Sequence, residues 1–577
     1  MPRRSCHRSS TVNVSETDSA YFSSNELIEI NQPLLSMLSD LRSEASKMAR
    51  LKTGLDHVNR RENSSISWDY SYYILLLVPV ILFLVSLYIP PTIISDSGGG
   101  FLALSSMFAG GAFNSITTPD PANIANDIVT FLTWWSPGQY LVPGIFIWLG
   151  TSYGLALSLT TLVATLIGVA GWIRVARGFA VSSFVLFVFV LGLTTFPYVT
   201  QRFLAYWGGE VLLFAVAPWS LYVMRWSVDK PPILCFSISL LSAALLFFAK
   251  LTGLIVFATN VMAISLFTLI SQRRLSSSII VMWVASGITV LCFMIFWVAR
   301  GPVGEWSAAS FSWFPIRFSM AAAAFSGIYG LGFFLSHPWM QIDPQWTIEL
   351  LGPVGLLLMM WAWYRLRHTP YRDMAVLLLP TIVIYAITVA IMLQYLRRDV
   401  AAITIEDRHF RYAGILFFLL LLTAVDQWRA PLAKSLACGV VIVLGLYGLR
   451  NYAIFAHGQM RAGHYDSTTG ISQEISPAAL DYMRSEATKH NFQRPIAVIP
   501  APAAAISLPR FRIIGTGLEL QPPASQRWAG RAERIFVVLP EEAVLNGEAE
   551  AILRSFADYD FNSWTRMKVD GTIIYNQ

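Results

Sequence analysis

The sequence predicts an all-α polytopic membrane protein of about eleven transmembrane helices with a small C-terminal α/β extracytoplasmic domain. Three observations carry the prediction. The chain is 55% hydrophobic and 13% charged with a mean hydropathy of +0.54, a balance that belongs in lipid. Apolar runs long enough to cross ~30 Å of hydrocarbon recur from residue 72 to residue 449. Basic residues fall in alternate short loops between them.

The runs lie near 72–90, 141–170, 179–196, 209–224, 232–249, 253–271, 279–298, 347–364, 374–393, 412–425 and 435–449. In hydrocarbon the backbone must close its own hydrogen bonds, so each reads as a helix. Arg174 and Arg177, Arg225 and Lys230, Arg273 and Arg274, Arg365, Arg367 and Arg372, and Arg429 and Lys434 mark five loops on one side. The positive-inside rule makes that side cytoplasmic. An odd number of spans then sets residues 451–577 on the periplasmic or extracellular face of an inner (cytoplasmic) membrane protein. Residues 320–336 are read as a helix lying on the outer face or dipping in and out, because one more span there would break the alternation of charge. Residues 1–70 are polar and Ser-rich without a secretory signal, and read as a largely disordered cytoplasmic tail with a short helix across 33–60. Residues 71–450 are expected to form the transmembrane body.

The net charge of +6 does not indicate nucleic acid, since the basic residues mark loops and gather in no stripe. Cys6, Cys235, Cys292 and Cys438 are scattered and form neither a disulfide framework nor a zinc pattern.

With topology assigned, the remaining ionisable residues fall on the outer side. Asp96 follows the first span within Ile93-Ile94-Ser95-Asp96-Ser97-Gly98-Gly99-Gly100, and a moderately apolar stretch from Phe101 to Phe113 suits an interfacial helix. That first loop returns through Trp134-Trp135-Ser136-Pro137-Gly138-Gln139-Tyr140. Arg202 and Glu210 flank the second outer loop, Lys250 sits in a tight turn, and Arg408, His409 and Arg411 precede the tenth span. Charge at the membrane boundary is unfavourable unless it is paired or functional. Asp96 alone reads more often as a helix-flanking acid or cap than as a base, and each cation alone reads equally as an interfacial anchor. Glu210 either pairs with Arg202 or meets substrate; His409 is more often a satisfied neighbour than a catalyst.

These features together resemble the GT-C superfamily of integral-membrane glycosyltransferases. The chain is similar to the bacterial relatives of protein O-mannosyltransferase and lipid A aminoarabinose transferase. The resemblance rests on the acid after the first span, the interfacial helix, the Pro-Gly-Gln-Tyr return, Tyr206-Trp207-Gly208-Gly209-Glu210, Ala249-Lys250-Leu251-Thr252-Gly253 and Glu406-Asp407-Arg408-His409-Phe410-Arg411-Tyr412. It covers residues 72 to about 450. It implies a polyprenyl-phosphate-linked sugar as donor and Asp96 as the catalytic base. The family's usual form has two adjacent acids, where this chain has Asp96-Ser97. Lys250, Arg408 and Arg411 are expected to hold the donor phosphate, because the leaving group gains negative charge in the transition state. Arg202, Glu210, His409 and Tyr412 are expected as further substrate contacts.

The implied reaction is transfer of a sugar to an acceptor hydroxyl of a glycan, lipid or protein on the outer face. No metal ligands and no cofactor are expected, with a divalent metal left open. The alternative is a polytopic transporter or a lipid-linked-glycan flippase without transferase chemistry. Against it, the sequence shows no repeat halves and its notable charges lie in outer loops. In the tail, helices near 477–490 and 545–556, strands near 494–499, 511–515 and 533–538, and a hairpin through Asp570-Gly571 make up the α/β domain.

Overall fold

Each long apolar run closes into a helix, and where the helices end the chain turns back in short loops. The computed structural model describes residues 71–577 except 94, 134, 274–275, 302–343, 397–406, 429, 474, 500–501 and 516–526. The helix expected across 33–60 and the outer helix at 320–336 lie outside the described residues. Among the described residues, seven helices are long and apolar enough to cross a membrane, or eight if one bent pair counts as a single span. The chain is a multi-pass membrane protein.

In chain order the elements are α1 (Leu77–Ser86), β1 (Thr92–Ile93), α2 (Ser95–Phe108), β2 (Ser115–Asp120), β3 (Asn123–Phe131), α3 (Gly138–Trp148), α4 (Tyr153–Arg177), α5 (Ser183–Thr195), α6 (Pro197–Thr200), β4 (Ala205–Tyr206), α7 (Gly209–Ser227), α8 (Pro232–Ala249), α9 (Gly253–Gln272), α10 (Ser277–Phe296), α11 (Pro344–Leu366), α12 (Arg372–Leu396), α13 (Arg411–Asp426) and α14 (Pro431–Ala462). The core of the bundle is aromatic and aliphatic, with Trp172, Phe189, Tyr385, Tyr412 and Phe418 packed together.

The single span expected over 141–170 is two helices, α3 and α4. Gly150 has a φ of +95°, a conformation glycine favours, and the Ser152 side chain caps α4 by accepting from the Leu155 amide at 3.3 Å. Hydropathy alone runs through this break. The interfacial helix expected from Phe101 to Phe113 is instead α2, which starts at Ser95, so Asp96 lies in its first turn. Next comes a hairpin, β2–β3, that pairs Ile116 with Thr130 and carries a bulge at Pro119/Asp120. α14 has 32 residues, so it is ~48 Å long and exceeds the ~30 Å hydrocarbon core. Its excess length carries the chain out of the bundle.

Beyond α14 the tail contains β5 (Tyr465–Asp466), β6 (Ile471–Ser472), α15 (Pro477–Lys489), β7 (Ile496–Ile499), α16 (Pro502–Ile506), β8 (Arg512–Gly515), β9 (Ile535–Pro540), α17 (Glu541–Leu545), α18 (Glu548–Ser555), β10 (Thr565–Val569) and β11 (Thr572–Asn576). Five strands form a mixed sheet in the order β10-β11-β9-β7-β8, with β7 parallel to β8 and β9. Alternate residues of β7 face opposite ways. Ala497 and Ile499 pack with Leu480 and Met483 of α15, while Ile496 and Val498 pack with Ile552 and Leu553 of α18. The segment between α1 and α3 docks on this sheet, because Asp127 of β3 is ion-paired with both Arg494 and Arg512.

Candidate active site

Three loops converge where α7 begins. Phe196 is extended at ψ 151° and Pro197 starts α6, so the α5–α6 pair bends by 47° and delivers Tyr198 and Arg202 to one end of the bundle. β4 then pairs in parallel with β1, matching Thr92 to Ala205 and Ile93 to Tyr206. This fixes the start of α2 beside the loop between α6 and α7, where Ser97 Oγ donates to the Tyr206 carbonyl at 3.5 Å. Asp96 is therefore one residue from that contact along the backbone; its side chain lies outside the described part.

Gly208 caps α7 with a φ of +52°, and a Cβ there would stand 2.5 Å from Gln139 Oε1 and 2.6 Å from Ser97 Oγ. At Gly209 a Cβ would meet the Ala249 carbonyl at 2.8 Å, so this glycine lets α7 approach the Lys250 turn. Gln139 locks the junction. Its Oε1 accepts from the Gly209 amide at 3.3 Å, and its carbonyl accepts from the Tyr206 hydroxyl at 2.7 Å.

Close approach at Gly209 brings Glu210 to Lys250, whose ammonium donates to the Glu210 carboxylate. The carboxylate is thus paired with Lys250 and not, as one sequence reading had it, with Arg202. Lys250 Nζ also lies 3.4 Å from His409 Nδ1. An ammonium only donates, so this contact is a hydrogen bond when His409 Nδ1 carries no proton. Burial draws the Lys250 ammonium below the ordinary lysine range, Glu210 opposes that shift, and Arg408 and Arg411 reinforce it.

A narrow cleft opens here, with a cavity volume of about 20 Å³, lined by Trp172, Tyr198, Arg202, Glu210, Thr252, Tyr385, Arg408, His409, Arg411 and Tyr412 among others. Its cations are held on ring faces. Arg202 lies 4.7 Å from the Tyr198 ring centroid and 5.0 Å from that of Phe214. Arg411 lies 5.5 Å from Tyr198 and 5.4 Å from Trp207, and Arg408 5.8 Å from Trp207. Ring stacking covers guanidinium faces and leaves the N–H edges to find acceptors. Arg202 is 1% exposed, yet its Nε and Nη1, the same atoms of Arg411, and the Tyr198 hydroxyl have no hydrogen-bond partner among the described residues. Buried donors of this kind are rare without an acceptor, and among the described residues Glu210 is the carboxylate that lines the cleft.

The structure thus brings together Lys250, Arg408, Arg411, Arg202, Glu210, His409 and Tyr412 of the expected residues, and sets the backbone of Asp96 nearby. Tyr412 faces the cleft but is anchored by donating to Asn260 Oδ1 at 2.7 Å. The backbone carbonyl of His409 accepts from Tyr385 at 2.7 Å. Sequence reading missed Tyr198 and Tyr385, which stand in apolar runs without a distinguishing signal. It also missed the role of Gln139, although Pro137-Gly138-Gln139-Tyr140 was visible as a turn. Among the described residues no three of His, Cys, Asp and Glu cluster as metal ligands.

The fold is similar to that of the integral-membrane glycosyltransferases of the GT-C type. The chain matches the crystal structure of ArnT from Cupriavidus metallidurans bound to undecaprenyl phosphate, with a TM-score of 0.50 and 12% sequence identity over 88% of this chain and 98% of that one. It also aligns with the archaeal oligosaccharyltransferase AglB from Archaeoglobus fulgidus, in complex with an inhibitory peptide and a dolichol-phosphate, at a TM-score of 0.42 and 10% identity over 88% and 74% of the two chains. No protein-family model and no curated protein sequence matches the chain.

Proposed function

We propose that this chain transfers a sugar from a polyprenyl-phosphate-linked donor to an acceptor hydroxyl on the outer face of the cytoplasmic membrane. The observation that carries this reading is the set of buried guanidinium donors without partners around the cleft. Such groups call for an anion, and the phosphate of a lipid-linked sugar supplies one at the depth where α7 and α13 begin. The solved structure of ArnT, similar in fold, holds undecaprenyl phosphate. The topology that suits the reading has eleven spans, residues 1–70 in the cytoplasm, residues 71–450 as the catalytic body and residues 451–577 as an outer domain over the cleft.

In the proposed reaction Asp96 takes the proton from the acceptor hydroxyl. The hydroxyl oxygen bonds to the anomeric carbon as that carbon's bond to the phosphate oxygen breaks, and the electron pair leaves on polyprenyl phosphate. Arg202, Arg408, Arg411 and Lys250 stabilise the growing charge on phosphate. Glu210 holds Lys250 in place, and His409 bridges from Lys250 to the turn before α13. One displacement by one base inverts the anomeric centre.

The test is a transfer assay with full-length protein in liposomes, offering radiolabelled polyprenyl-phosphate sugars with membrane extracts as acceptor. Transfer by the wild type and its loss in Asp96→Asn, with donor binding kept, is the expected result. Donor that binds and crosses the bilayer without any transfer would replace this reading with the flippase one.

A further inference from the structure

A second charged recess lies at the opposite end of the bundle. α7 runs from Glu210 in its first turn to Arg225 in its last, and at 1.5 Å per residue these are ~22 Å apart. Around Arg225 the ends of α4 and α7 and the start of α12 border an open recess of about 340 Å³, with Phe179, Leu221 and Leu377 on the apolar side and Arg225, Asp229 and Lys230 on the polar side.

Two ordinary roles account for a cation here, since arginine at a helix C-terminus complements the macrodipole and basic residues anchor cytoplasmic loops. Both roles are met by a hydrated, mobile side chain. Arg225 is held otherwise. Its guanidinium lies 4.3 Å from the Phe179 ring centroid and 5.6 Å from that of Phe267, so rings cover its faces. Its edges make no hydrogen bond and no ion pair among the described residues. Asp229 and Asp373 are the carboxylates that act on it through space. Lys230 is held 4.9 Å from the Trp226 centroid, and Arg174 stands 4.9 Å from Tyr222 behind the recess. Trp219 and Trp226, two turns apart on α7, are 37% and 46% exposed and mark a face of the helix turned to lipid.

Immobilised cations with free edges, an apolar wall and an opening beside lipid fit one chemistry. We propose that this recess takes the headgroup of an anionic phospholipid from the leaflet at that end, its phosphate on Arg225 and Lys230 and its glycerol and first acyl carbons against Phe179 and Leu377. Basic pockets between membrane helices select anionic headgroups in this way. The site is separate from the cleft and does not rest on the transferase reading.

The experiment is native mass spectrometry of full-length protein exchanged into nanodiscs of phosphatidylglycerol and phosphatidylcholine, comparing the wild type with Lys230→Gln, Arg225→Gln and the double variant. The control is Lys434→Gln, a basic residue outside the recess that is paired with Asp426. Retention of phosphatidylglycerol over phosphatidylcholine by the wild type and the control is expected, with a roughly 30-fold loss in the double variant and a partial loss in Lys230→Gln. Lys230 lies in a loop, so its variant reads out the site even if Arg225→Gln fails to fold. Equal retention by wild type and Lys230→Gln would overturn the proposal. So would displacement of the lipid by inorganic phosphate alone, which would make the recess a site for a free anion.

Discussion

Replacing Arg202 by methionine separates a ligand-seeking cation from a structural one. Arg202 is 1% exposed, sits on the faces of Tyr198 and Phe214, and leaves Nε and Nη1 without acceptors. A buried guanidinium in this state opposes folding of the ligand-free protein, because lost hydration is repaid only by ring contacts. Methionine fills much of the same volume without that penalty. Arg202→Met is therefore expected to raise the stability of the ligand-free protein by about 1 kcal/mol or more, read as a higher Tm in detergent. Bound lipid phosphate reverses the sign. Each charge-assisted hydrogen bond to phosphate contributes about 1.5–3 kcal/mol, so losing one weakens undecaprenyl phosphate binding roughly 10- to 150-fold. Both quantities come from one assay, thermal unfolding with and without the lipid phosphate. A ligand-free Tm that falls by as much as a core truncation, with the ligand-induced shift unchanged, would refute the reasoning and make Arg202 a structural cation.

Lys250→Met is expected to destabilise the protein by about 3–5 kcal/mol, because it strands the Glu210 carboxylate; adding Glu210→Gln recovers most of the loss in thermal unfolding, but transfer stays lost. Asp96→Asn is expected to lower transfer roughly 100- to 10,000-fold with little change in Tm, measured under single-turnover conditions. Gly208→Ala is expected to lower stability by about 1–3 kcal/mol and to weaken donor binding, since alanine resists the +52° φ and its Cβ meets Gln139 and Ser97. In the tail, burial works against ionised Asp466, but donors from Ser507, Arg484, Thr468 and Thr469 outweigh it and hold the carboxyl below its ordinary value. Its contribution to stability is complete above about pH 4 and fades as pH falls through the depressed pKa, so limited proteolysis of the tail is expected to accelerate only in acid, and Asp466→Asn is expected to remove that dependence.

The helices were legible because the signal for a membrane span is additive over some twenty residues and survives local exceptions. The break at Gly150-Thr151-Ser152 was not, because it is written in φ and in a cap and not in hydropathy; glycine before an N-cap serine was the available clue. The hairpin of β2 and β3 hid for a related reason. Its strands, Ser115–Asp120 and Asn123–Phe131, are too polar to register beside membrane spans, though Asp120-Pro121 between β-branched residues is a turn signal.

For the cleft, residue types were legible and pairings were not. Placing charge on the outer loops follows from topology, so Arg202, Glu210, Lys250, Arg408 and Arg411 stood out as a group. Which of them neutralise one another depends on how closely two backbones approach. Gly209 and the Ala249 carbonyl decide that, and through them Glu210 is spent on Lys250. Arg202 and Arg411 are left sharing the face of Tyr198, a residue that looks from sequence like any other aromatic in an apolar run. Were Glu210 paired with Arg202 instead, the buried Arg202 donors would find their acceptor within the protein, and of this pair only Arg411 would ask for an anion. The demand for a phosphate therefore comes from the glycine that chooses the pair as much as from the arginines themselves. A larger side chain at position 209 is expected to weaken lipid-phosphate binding without removing a single charge.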